Sequence, residues 1–239
     1  SKFICPDYAF ILNISNDHLD WHGTMKNYID SKFKIFNLQR KDQYSIINKK
    51  LRYIFLRKKF KGKLIIPQIH DYKKIKSKIK NAYLKLKIND ENLSNVFTLS
   101  KLLKIKKKFV LKSLNSFEGL PHRHEIFLEK KNCIFINDSK ATSFEATKSA
   151  LKNCENIYWI VGGLPKKNDN FTFGNSKKNI IRAYIIGKNT HFFKQQIKNK
   201  INFKVVKNLR KAISEIIKDI KVSNINKKSI LFSPASASY

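Results

Sequence analysis

From Gly119 onward, short apolar runs alternate with helical stretches, and this alternation restricts the fold more than any other feature of the sequence. Strands and helices that take turns along a chain predict a parallel sheet with helices on both faces. The predicted strands are 132–137, 157–161, 183–186, 203–206 and 229–232, and the predicted helices are 143–152, 190–198 and 209–219. The segment 119–239 is therefore predicted to form an α/β domain.

The first 118 residues follow a less regular pattern. An interior-type strand is predicted at 8–14, short strands at 51–56 and 63–66, and a helix from Asn92 with Leu93, Val96, Leu99, Leu102 and Leu103 on its inner face. No Pro/Gly/Ser linker separates the two regions, so the boundary between 118 and 119 rests on the change of pattern alone. The strand at 8–14 needs neighbours on both sides, and an apolar run lies close to the other end, so we expect a piece of a longer protein.

The net charge of +33 suggests nucleic-acid binding, since clustered basic side chains neutralise phosphates. Only six of the 50 basic residues are arginine, although arginine is favoured for bidentate recognition of phosphate and guanine. Lysine, isoleucine and asparagine are all abundant, as an A+T-rich coding sequence would make them. We therefore predict no specific nucleic-acid site, and interpret the charge as compositional drift that adds nonspecific attraction to polyanions.

The sequence carries no apolar stretch near the ~20 residues that cross a bilayer, and no signal-peptide pattern at its start. Its three cysteines, Cys5, Cys133 and Cys154, are widely spaced in apolar surroundings, which fits neither a disulfide framework nor a metal-ligand pattern. We expect a folded cytoplasmic protein with buried cysteines and no membrane insertion.

Lys32 lies inside an apolar helical stripe. Thr24 is predicted to cap this helix, whose apolar positions are Met25, Tyr28, Ile29, Phe33 and Phe36. Because Lys32 is three residues after Ile29 and four before Phe36, its stem is predicted to lie on the buried face. Either the stem packs while the ammonium reaches water, or burial lowers the pKa of the amine so that it reacts with carbon dioxide to give a carbamate.

A cluster of acids and histidine follows the first predicted strand. Asp17, His18 and Asp20 come directly after that strand and upstream of Lys32. A lone histidine is more often structural, but beside two carboxylates His18 is a candidate divalent-metal ligand that could not hold Mg²⁺ alone. His22 is interpreted as a loop residue.

Three polar segments follow predicted strands of the second domain. They contain Asp138 with Lys140 and Thr142, Lys166 after Gly162-Gly163, and the serines of 233–238. Parallel strands place such loops along one sheet edge, where α/β proteins bind ligands, so we predict a site for an anionic ligand. Thr142 is also predicted to form a capping box with Glu145.

Asn92 and Asn95 project from one side of the first turn of their predicted helix. They are either a simple cap or a pair of amides directed at a ligand, and the spacing alone favours the cap.

These motifs, in order, resemble the Mur ligases of bacterial peptidoglycan synthesis over nearly the whole chain. They are Asn-(x)3-Asp-His-Leu-Asp at 13–20, Tyr-Ile-Asp-Ser-Lys ending at Lys32, Asn-Leu-Ser-Asn at 92–95, Gly-Leu-Pro-His-Arg-His-Glu at 119–125, Asn-Asp-Ser-Lys-Ala-Thr at 137–142, Gly-Gly-Leu-Pro-Lys at 162–166 and Ser-Pro-Ala-Ser-Ala-Ser at 233–238. Within the family, 119–123 and 137–142 are similar to the members that add D-glutamate.

The resemblance implies an incomplete central ATP-binding α/β domain at 1–118, then a Rossmann-like, amino-acid-binding C-terminal domain at 119–239. It implies a monomeric ligase that uses ATP and Mg²⁺ to phosphorylate UDP-N-acetylmuramoyl-L-alanine, whose acyl phosphate the D-glutamate amine attacks. By resemblance His18 and carbamylated Lys32 hold Mg²⁺, and Lys140 lies near the reacting groups. The implied nucleotide contacts are Asn92, Asn95, Arg123 and Asp138, and the implied D-glutamate contacts are Thr142, Lys166, Ser238 and Tyr239.

The chain also departs from the family pattern. No Gly-x-x-x-x-Gly-Lys-[Ser/Thr] phosphate loop occurs among its seven glycines, and Glu91 stands where the family usually has histidine. We therefore expect this sequence alone to be inactive and the complete protein to be the enzyme. The rival interpretations are a folylpolyglutamate synthase of the same superfamily, a basic nucleic-acid-binding module and an inactive homologue.

Overall fold

The structure is a computed structural model that describes residues 3–14, 19–166 and 169–237, apart from the side chains of Leu19, Asp20, Ala82 and Ile88. The chain divides into two compact units, Ser1–Phe117 and Glu118–Tyr239. This division and the change of sequence pattern fall at adjacent residues. No helix in the described part of the chain is both long and apolar enough to cross a membrane.

The first unit contains a three-stranded parallel sheet with seven described helices. The strands β1 (Tyr8–Ile11), β2 (Tyr44–Ile47) and β3 (Lys63–Ile65) pair in that order, with Tyr8 opposite Tyr44 and Tyr44 opposite Lys63. The helices are α1 (Leu19–His22), α2 (Met25–Phe33), α3 (Arg52–Arg57), α4 (Ile69–Lys76), α5 (Ala82–Lys85), α6 (Asp90–Leu102) and α7 (Lys107–Ser116). Short 3₁₀ turns lie at Lys34–Phe36, Lys49–Leu51 and Lys87–Asn89.

Two hydrophobic clusters hold this unit together. One packs α2 and α3 on the sheet through buried aromatic and aliphatic side chains, which include Ala9, Phe33, Phe36, Ile47 and Phe55. The other joins α4, α6 and α7 through Tyr72, Ile75, Leu93, Phe97, Val110 and Leu114.

The structure corrects two predictions in this unit. The strand predicted at 51–56 is wrong: a 3₁₀ turn, capped where Asn48 Oδ1 accepts from Lys50 N at 3.0 Å, leads directly into α3. Leu51 and Phe55, four residues apart, face the core from one side of that helical segment. The inner face of α6 is only partly the predicted one, because Leu93 is buried as predicted, whereas Val96 and Leu103 are 46% and 47% exposed and Phe97 is buried instead.

The second unit contains a six-stranded sheet in the order β4-β5-β9-β6-β7-β8. Its strands are β4 (Glu125–Lys130), β5 (Cys133–Asn137), β6 (Ile157–Val161), β7 (Ile180–Ile185), β8 (Phe203–Val205) and β9 (Lys228–Phe232), and its helices are α8 (Phe144–Asn153), α9 (Thr190–Ile197) and α10 (Leu209–Lys221). Only β4 runs antiparallel to its neighbour. The predicted parallel α/β fold is confirmed, and β4 is the element that the sequence pattern missed.

Side chains on both faces of β6 are buried, as expected for a central parallel strand. Trp159 packs on one face with the aromatic residues Phe144, Phe171 and Phe193, under α8 and α9. Tyr158 and Ile160 pack on the other face with Tyr184, Ala212 and Ile216, under α10. Helices therefore cover both faces, and the sheet edge at the strand ends is free to carry polar loops.

An ion network fixes α10 to the sheet. Asp219 accepts hydrogen bonds from Tyr184 Oη at 2.5 Å, from Lys204 Nζ at 2.9 Å and from Arg182. Burial raises the pKa of Asp219, but these hydrogen bonds outweigh burial and hold the pKa below its ordinary value. The carboxylate therefore stabilises the folded unit in its charged form.

Asp219→Asn is expected to lower the free energy of unfolding by about 2 kcal/mol at neutral pH, because charge-assisted hydrogen bonds are lost. An acid whose folded pKa is depressed adds stability above its unfolded pKa of 3.8 and loses it as the pH falls through the folded value. The difference from wild type should therefore shrink in acid, as urea unfolding at several pH values would show. Asp42→Asn is the matched control, since its side chain is 72% exposed and should change stability by less than about 0.5 kcal/mol. An equal loss at every pH would contradict the prediction.

Candidate functional site

The three predicted polar segments meet in the second unit because β5, β9 and β6 are adjacent strands. Asp138 N donates to Phe232 O at 2.8 Å, which joins the segment after β5 to the end of β9. Ser236 Oγ donates to Gly162 O at 3.0 Å, and Gly162 N donates to Pro234 O at 3.1 Å. A short antiparallel bridge between Leu164 and Ala237 adds two more hydrogen bonds. The edge is therefore one connected surface.

Asp138 is held from two sides. Its Oδ1 accepts from the backbone N–H of His124 at 3.0 Å, and its Oδ2 accepts from Ser233 Oγ at 2.8 Å. Burial raises the pKa of Asp138, and the two hydrogen bonds and the charge of Arg123 oppose that rise. Each carboxylate oxygen keeps a second lone pair, so the oriented carboxylate can still accept hydrogen bonds from a ligand.

The segment before β4 supplies the groups that hold the neighbouring loop. His122 O accepts from Lys140 N at 3.1 Å, and His122 Nδ1 lies 2.8 Å from Asn137 Nδ2. His122 and His124 both adopt positive φ angles, +65° and +48°, which turns their backbone groups toward the loop after β5. The motif at 119–125 contains both histidines, but the sequence does not predict their backbone conformation, because a left-handed conformation at a residue other than glycine is uncommon.

Lys140 and Arg123 are exposed, so their charges are available to a ligand in solvent. Thr142 is half-buried and is not the helix cap, because Ser143 Oγ accepts from Ala146 N at 3.4 Å and caps α8. The predicted capping box of Thr142 with Glu145 is therefore wrong by one position. This correction leaves the Thr142 hydroxyl outside the cap and at the sheet edge.

Lys166 follows the turn made by Gly162 and Gly163 and is half-buried. Both glycines adopt φ values near +140°, a conformation that side chains rarely allow, and so the turn stays tight against the end of β7. Asn189, the residue before α9, donates from its Nδ2 to Gly163 O at 2.9 Å and so fixes the turn. Ser238 and Tyr239 lie outside the described residues.

In the first unit, Asn95 borders a cavity of about 640 Å³ lined also by Asn48, Gln68, His70 and Glu91. Asn95 Nδ2 donates to Glu91 O at 2.8 Å, while its buried Oδ1 has no hydrogen-bond partner among the described residues. A buried acceptor without a donor costs about 1–3 kcal/mol, so a ligand N–H that reached this oxygen would bind favourably.

The predicted cap at Asn92 is wrong, since α6 begins two residues earlier at Asp90 and Asn89 precedes it. Both Asn92, which is exposed, and Asn95 therefore lie within the helix. Of the two interpretations of this amide pair, the ligand-directed one fits the geometry of Asn95.

Lys32 is exposed, which contradicts its predicted place on the buried face. Phe33 and Phe36, both 0% exposed, form the core side of this segment. Phe36 lies in a 3₁₀ turn after α2, so the α-helical spacing that relates it to Lys32 does not hold. Lys32 Nζ instead lies 5.4 Å from the ring centroid of Tyr28, a cation–π contact. The desolvation that the carbamate argument needed is absent at this position.

His18, with Asp17, lies outside the described residues, so the predicted metal ligand is not part of the visible geometry. Among residues 3–14, 19–166 and 169–237, no group of three or more His, Cys, Asp or Glu side chains could hold a metal ion. The described residues therefore do not form a metal site on their own.

Comparison with protein families and curated proteins gives a consistent result. Residues 1–113 match the Mur ligase middle domain. The UDP-N-acetylmuramoylalanine--D-glutamate ligase of Wolbachia sp. subsp. Brugia malayi is 33% identical over 98% of this chain and 50% of its own length. The enzyme of the same name from Rickettsia felis is 32% identical over 100% of this chain and 58% of its own length. The chain thus spans about half the length of the curated relatives it matches.

Solved structures show the same fold at low sequence identity. MurF from Acinetobacter baumannii is similar with a TM-score of 0.62 at 14% identity, over 97% of this chain and 57% of that protein. The bifunctional folylpolyglutamate synthase/dihydrofolate synthase from Yersinia pestis is similar with a TM-score of 0.65 at 12% identity, over 97% of this chain and 60% of that protein. At such identities the likeness describes the fold and not the substrate.

Proposed function

Because the chain belongs to the Mur ligase family, we propose that the protein containing it uses ATP to join D-glutamate to UDP-N-acetylmuramoyl-L-alanine. The observation that carries the proposal is the connected sheet edge of the second unit. It gathers two lysines and a hydroxyl, which suit an anionic substrate, with an oriented carboxylate, Asp138, which can accept hydrogen bonds from ligand hydroxyls. Relatives that share about a third of their residues over nearly the whole chain carry the name of this activity.

ATP supplies the phosphoryl group that converts the carboxylate of the muramoyl substrate into an acyl phosphate. The amine of D-glutamate then attacks the acyl carbon, and inorganic phosphate leaves as the amide forms. These steps depend mainly on positioning and on neutralising negative charge. The exposed ammonium of Lys140 is proposed to face the charge that develops on the transferred group.

Each unit, taken by itself, carries residues that we propose as nucleotide contacts. In the first unit, Asn95 Oδ1 is a buried acceptor that an exocyclic amine of a base would satisfy, and Asn92 lies one turn earlier in α6. In the second unit, the free lone pairs of Asp138 suit a pair of ribose hydroxyls, with Arg123 as the neighbouring cation.

The proposed D-glutamate contacts are Thr142, Lys166, Ser238 and Tyr239. D-Glutamate carries two carboxylates, and a half-buried lysine such as Lys166 is a suitable counter-charge. His18 and Lys32 are proposed to hold Mg²⁺ together with groups outside this chain. The carbamylation of Lys32 rests on the family resemblance alone, because Lys32 is exposed in this structure. The same function places the protein in peptidoglycan synthesis, as a monomer in the bacterial cytoplasm, with roles in cell shape and division.

The test is an ADP-release assay on the full-length protein with UDP-N-acetylmuramoyl-L-alanine. Turnover should require D-glutamate and should fall to background with L-glutamate, glycine or a diamino acid in its place. Turnover that depended on another amino acid, or on a folate in place of the muramoyl substrate, would refute the proposal.

A variant pair separates substrate binding from general damage. Lys166→Met should lower kcat/KM for D-glutamate about 100-fold, the effect of removing one partner from a charge-assisted contact. Lys152→Met, which changes an exposed lysine on α8, should leave kcat/KM within about twofold. Equal kinetics for the two variants would remove Lys166 from the D-glutamate site.

A further inference from the structure

Two buried hydroxyls lie behind Asp138 in the second unit. Ser233 and Thr147 are both 0% exposed. Ser233 Oγ donates to Asp138 Oδ2 at 2.8 Å, and Thr147 Oγ1 lies 2.8 Å from Ser233 Oγ. Trp159 Nε1 donates to Ser233 O at 2.8 Å and fixes the backbone of the same residue. The hydroxyls therefore form a continuous chain from α8 to the sheet edge.

The charge of Asp138 sets the direction of this chain. An ionised carboxylate only accepts hydrogen bonds, so Ser233 must donate its one hydroxyl proton to Asp138. The Thr147–Ser233 contact then has a single possible donor, and that donor is Thr147. Both hydroxyl protons thus point toward the carboxylate, an arrangement in which each hydrogen bond polarises the next.

The other ionisable groups near Asp138 do not take over the role of these two hydroxyls in orienting its carboxylate. Arg123 lies on the exposed side and lowers the pKa of Asp138 by its charge. Burial lowers the pKa of His124 and raises the pKa of Cys154 to about 12, so burial disfavours the charged form of both side chains. Among the described residues, the buried hydrogen bond to Asp138 Oδ2 comes from the Ser233 hydroxyl.

We propose that Thr147 and Ser233 form a positioning relay, in which two aligned hydroxyls fix the orientation of the Asp138 carboxylate and favour its charged form. The relay connects α8, β9 and the loop after β5, so the acceptor lone pairs of Asp138 keep a constant direction at the sheet edge. Neither hydroxyl touches a ligand. The relay itself follows from the geometry, and only the identity of the ligand at Asp138 rests on the proposed function.

The first experiment follows the side-chain carboxyl carbons of this chain by ¹³C NMR as a function of pH, with Asp138→Asn used to assign the signal. Ser233→Ala should raise the pKa of Asp138, because it removes a hydrogen bond that favours the charged form. Thr147→Val should raise it by less, because Ser233 still donates but is no longer polarised. Thr147→Ser should restore the wild-type titration.

The matched control is Ser229→Ala. Ser229 lies on β9, the strand that Ser233 directly follows, and is 4% exposed, and its hydroxyl donates to Glu155 O at 2.9 Å and not to Asp138. It should lower stability without moving the Asp138 titration. An Asp138 titration that is unchanged in Ser233→Ala would overturn the relay, as would one that moves equally in Ser229→Ala. If Thr147→Val does not fold, Ser233→Ala and Thr147→Ser decide the question.

The second experiment measures steady-state kinetics of the full-length protein. Ser233→Ala should raise KM for ATP about tenfold while kcat changes less than about twofold, since a misplaced ribose contact weakens binding more than chemistry. If Ser233→Ala raises the pKa of Asp138 but leaves KM for ATP unchanged, the relay is supported and Asp138 is not part of the nucleotide site. If the wild-type protein shows no turnover with D-glutamate, the proposed function fails, while the NMR result still decides the relay.

Discussion

Trp159→Ala is expected to lower the free energy of unfolding of the second unit by about 4 kcal/mol, the largest effect of any single substitution considered. Trp159 is 0% exposed at the centre of β6, with the rings of Phe144, Phe171 and Phe173 between 6.0 and 6.4 Å from its own. The substitution opens a cavity and also leaves Ser233 O without the indole N–H that donates to it at 2.8 Å. Since domains are stable by only about 5–15 kcal/mol, a large share of the unit's stability should be lost.

The chain offers a matched control, because its other tryptophan, Trp21, is 86% exposed. Trp21→Ala should change stability by less than about 0.5 kcal/mol. Urea unfolding should be followed by circular dichroism, since each variant removes a fluorophore. Two similar midpoints would show that Trp159 is not the centre of the core.

Gly162→Ala is expected to cost about 3 kcal/mol and to disrupt the sheet edge as well. Gly162 adopts φ +141°, and an added Cβ would collide with the carbonyl oxygen of Ile186 at the end of β7. The backbone would have to move, and the hydrogen bonds that Gly162 makes with Pro234 O and Ser236 Oγ would lengthen or break. Stability and ligand binding should therefore fall together.

Gly174→Ala is the control that separates the cost of backbone strain from the cost of the collision with Ile186 O. Gly174 also has a positive φ, +52°, but nothing lies within 4 Å of the position its Cβ would take. This control should cost about 1 kcal/mol, the ordinary penalty of a left-handed alanine. Urea midpoints measure both variants, and equal losses would mean that the Ile186 carbonyl can move aside freely.

The regular parts of the second unit were predictable because its strands are buried on both faces and its helices have one apolar side. Ile157–Val161 matches the predicted range, and the other parallel strands and helices differ only at their ends. The missed strand, Glu125–Lys130, lies at the sheet edge with five exposed residues, so it has no apolar pattern to detect. The error at 51–56 has a related cause, since a short apolar run fits a strand or a helix equally well.

The candidate site was predicted unevenly. The sequence predicts Asp138, Lys140, Thr142 and Lys166 as site residues from their places after apolar strands, and the strand order brings their segments together, while their roles stay predictions. The backbone contacts of His122 and His124 depend on positive φ angles, which the sequence does not predict. Lys32 was placed on the buried face partly by its spacing to Phe36, but Phe36 lies in a 3₁₀ turn after α2, where α-helical spacing does not apply.

By itself, the sequence determined the alternating α/β order of the second unit, the segments that carry its polar groups and the resemblance to the Mur ligase family. Periodicity is local, so these features needed no knowledge of which strands are neighbours. The tertiary structure alone decided that β9 lies between β5 and β6. That order places Ser233 against Asp138, residues 95 positions apart in the chain, and closes the relay from Thr147. Contacts over such separations depend on how the strands pack, which no short window of sequence specifies.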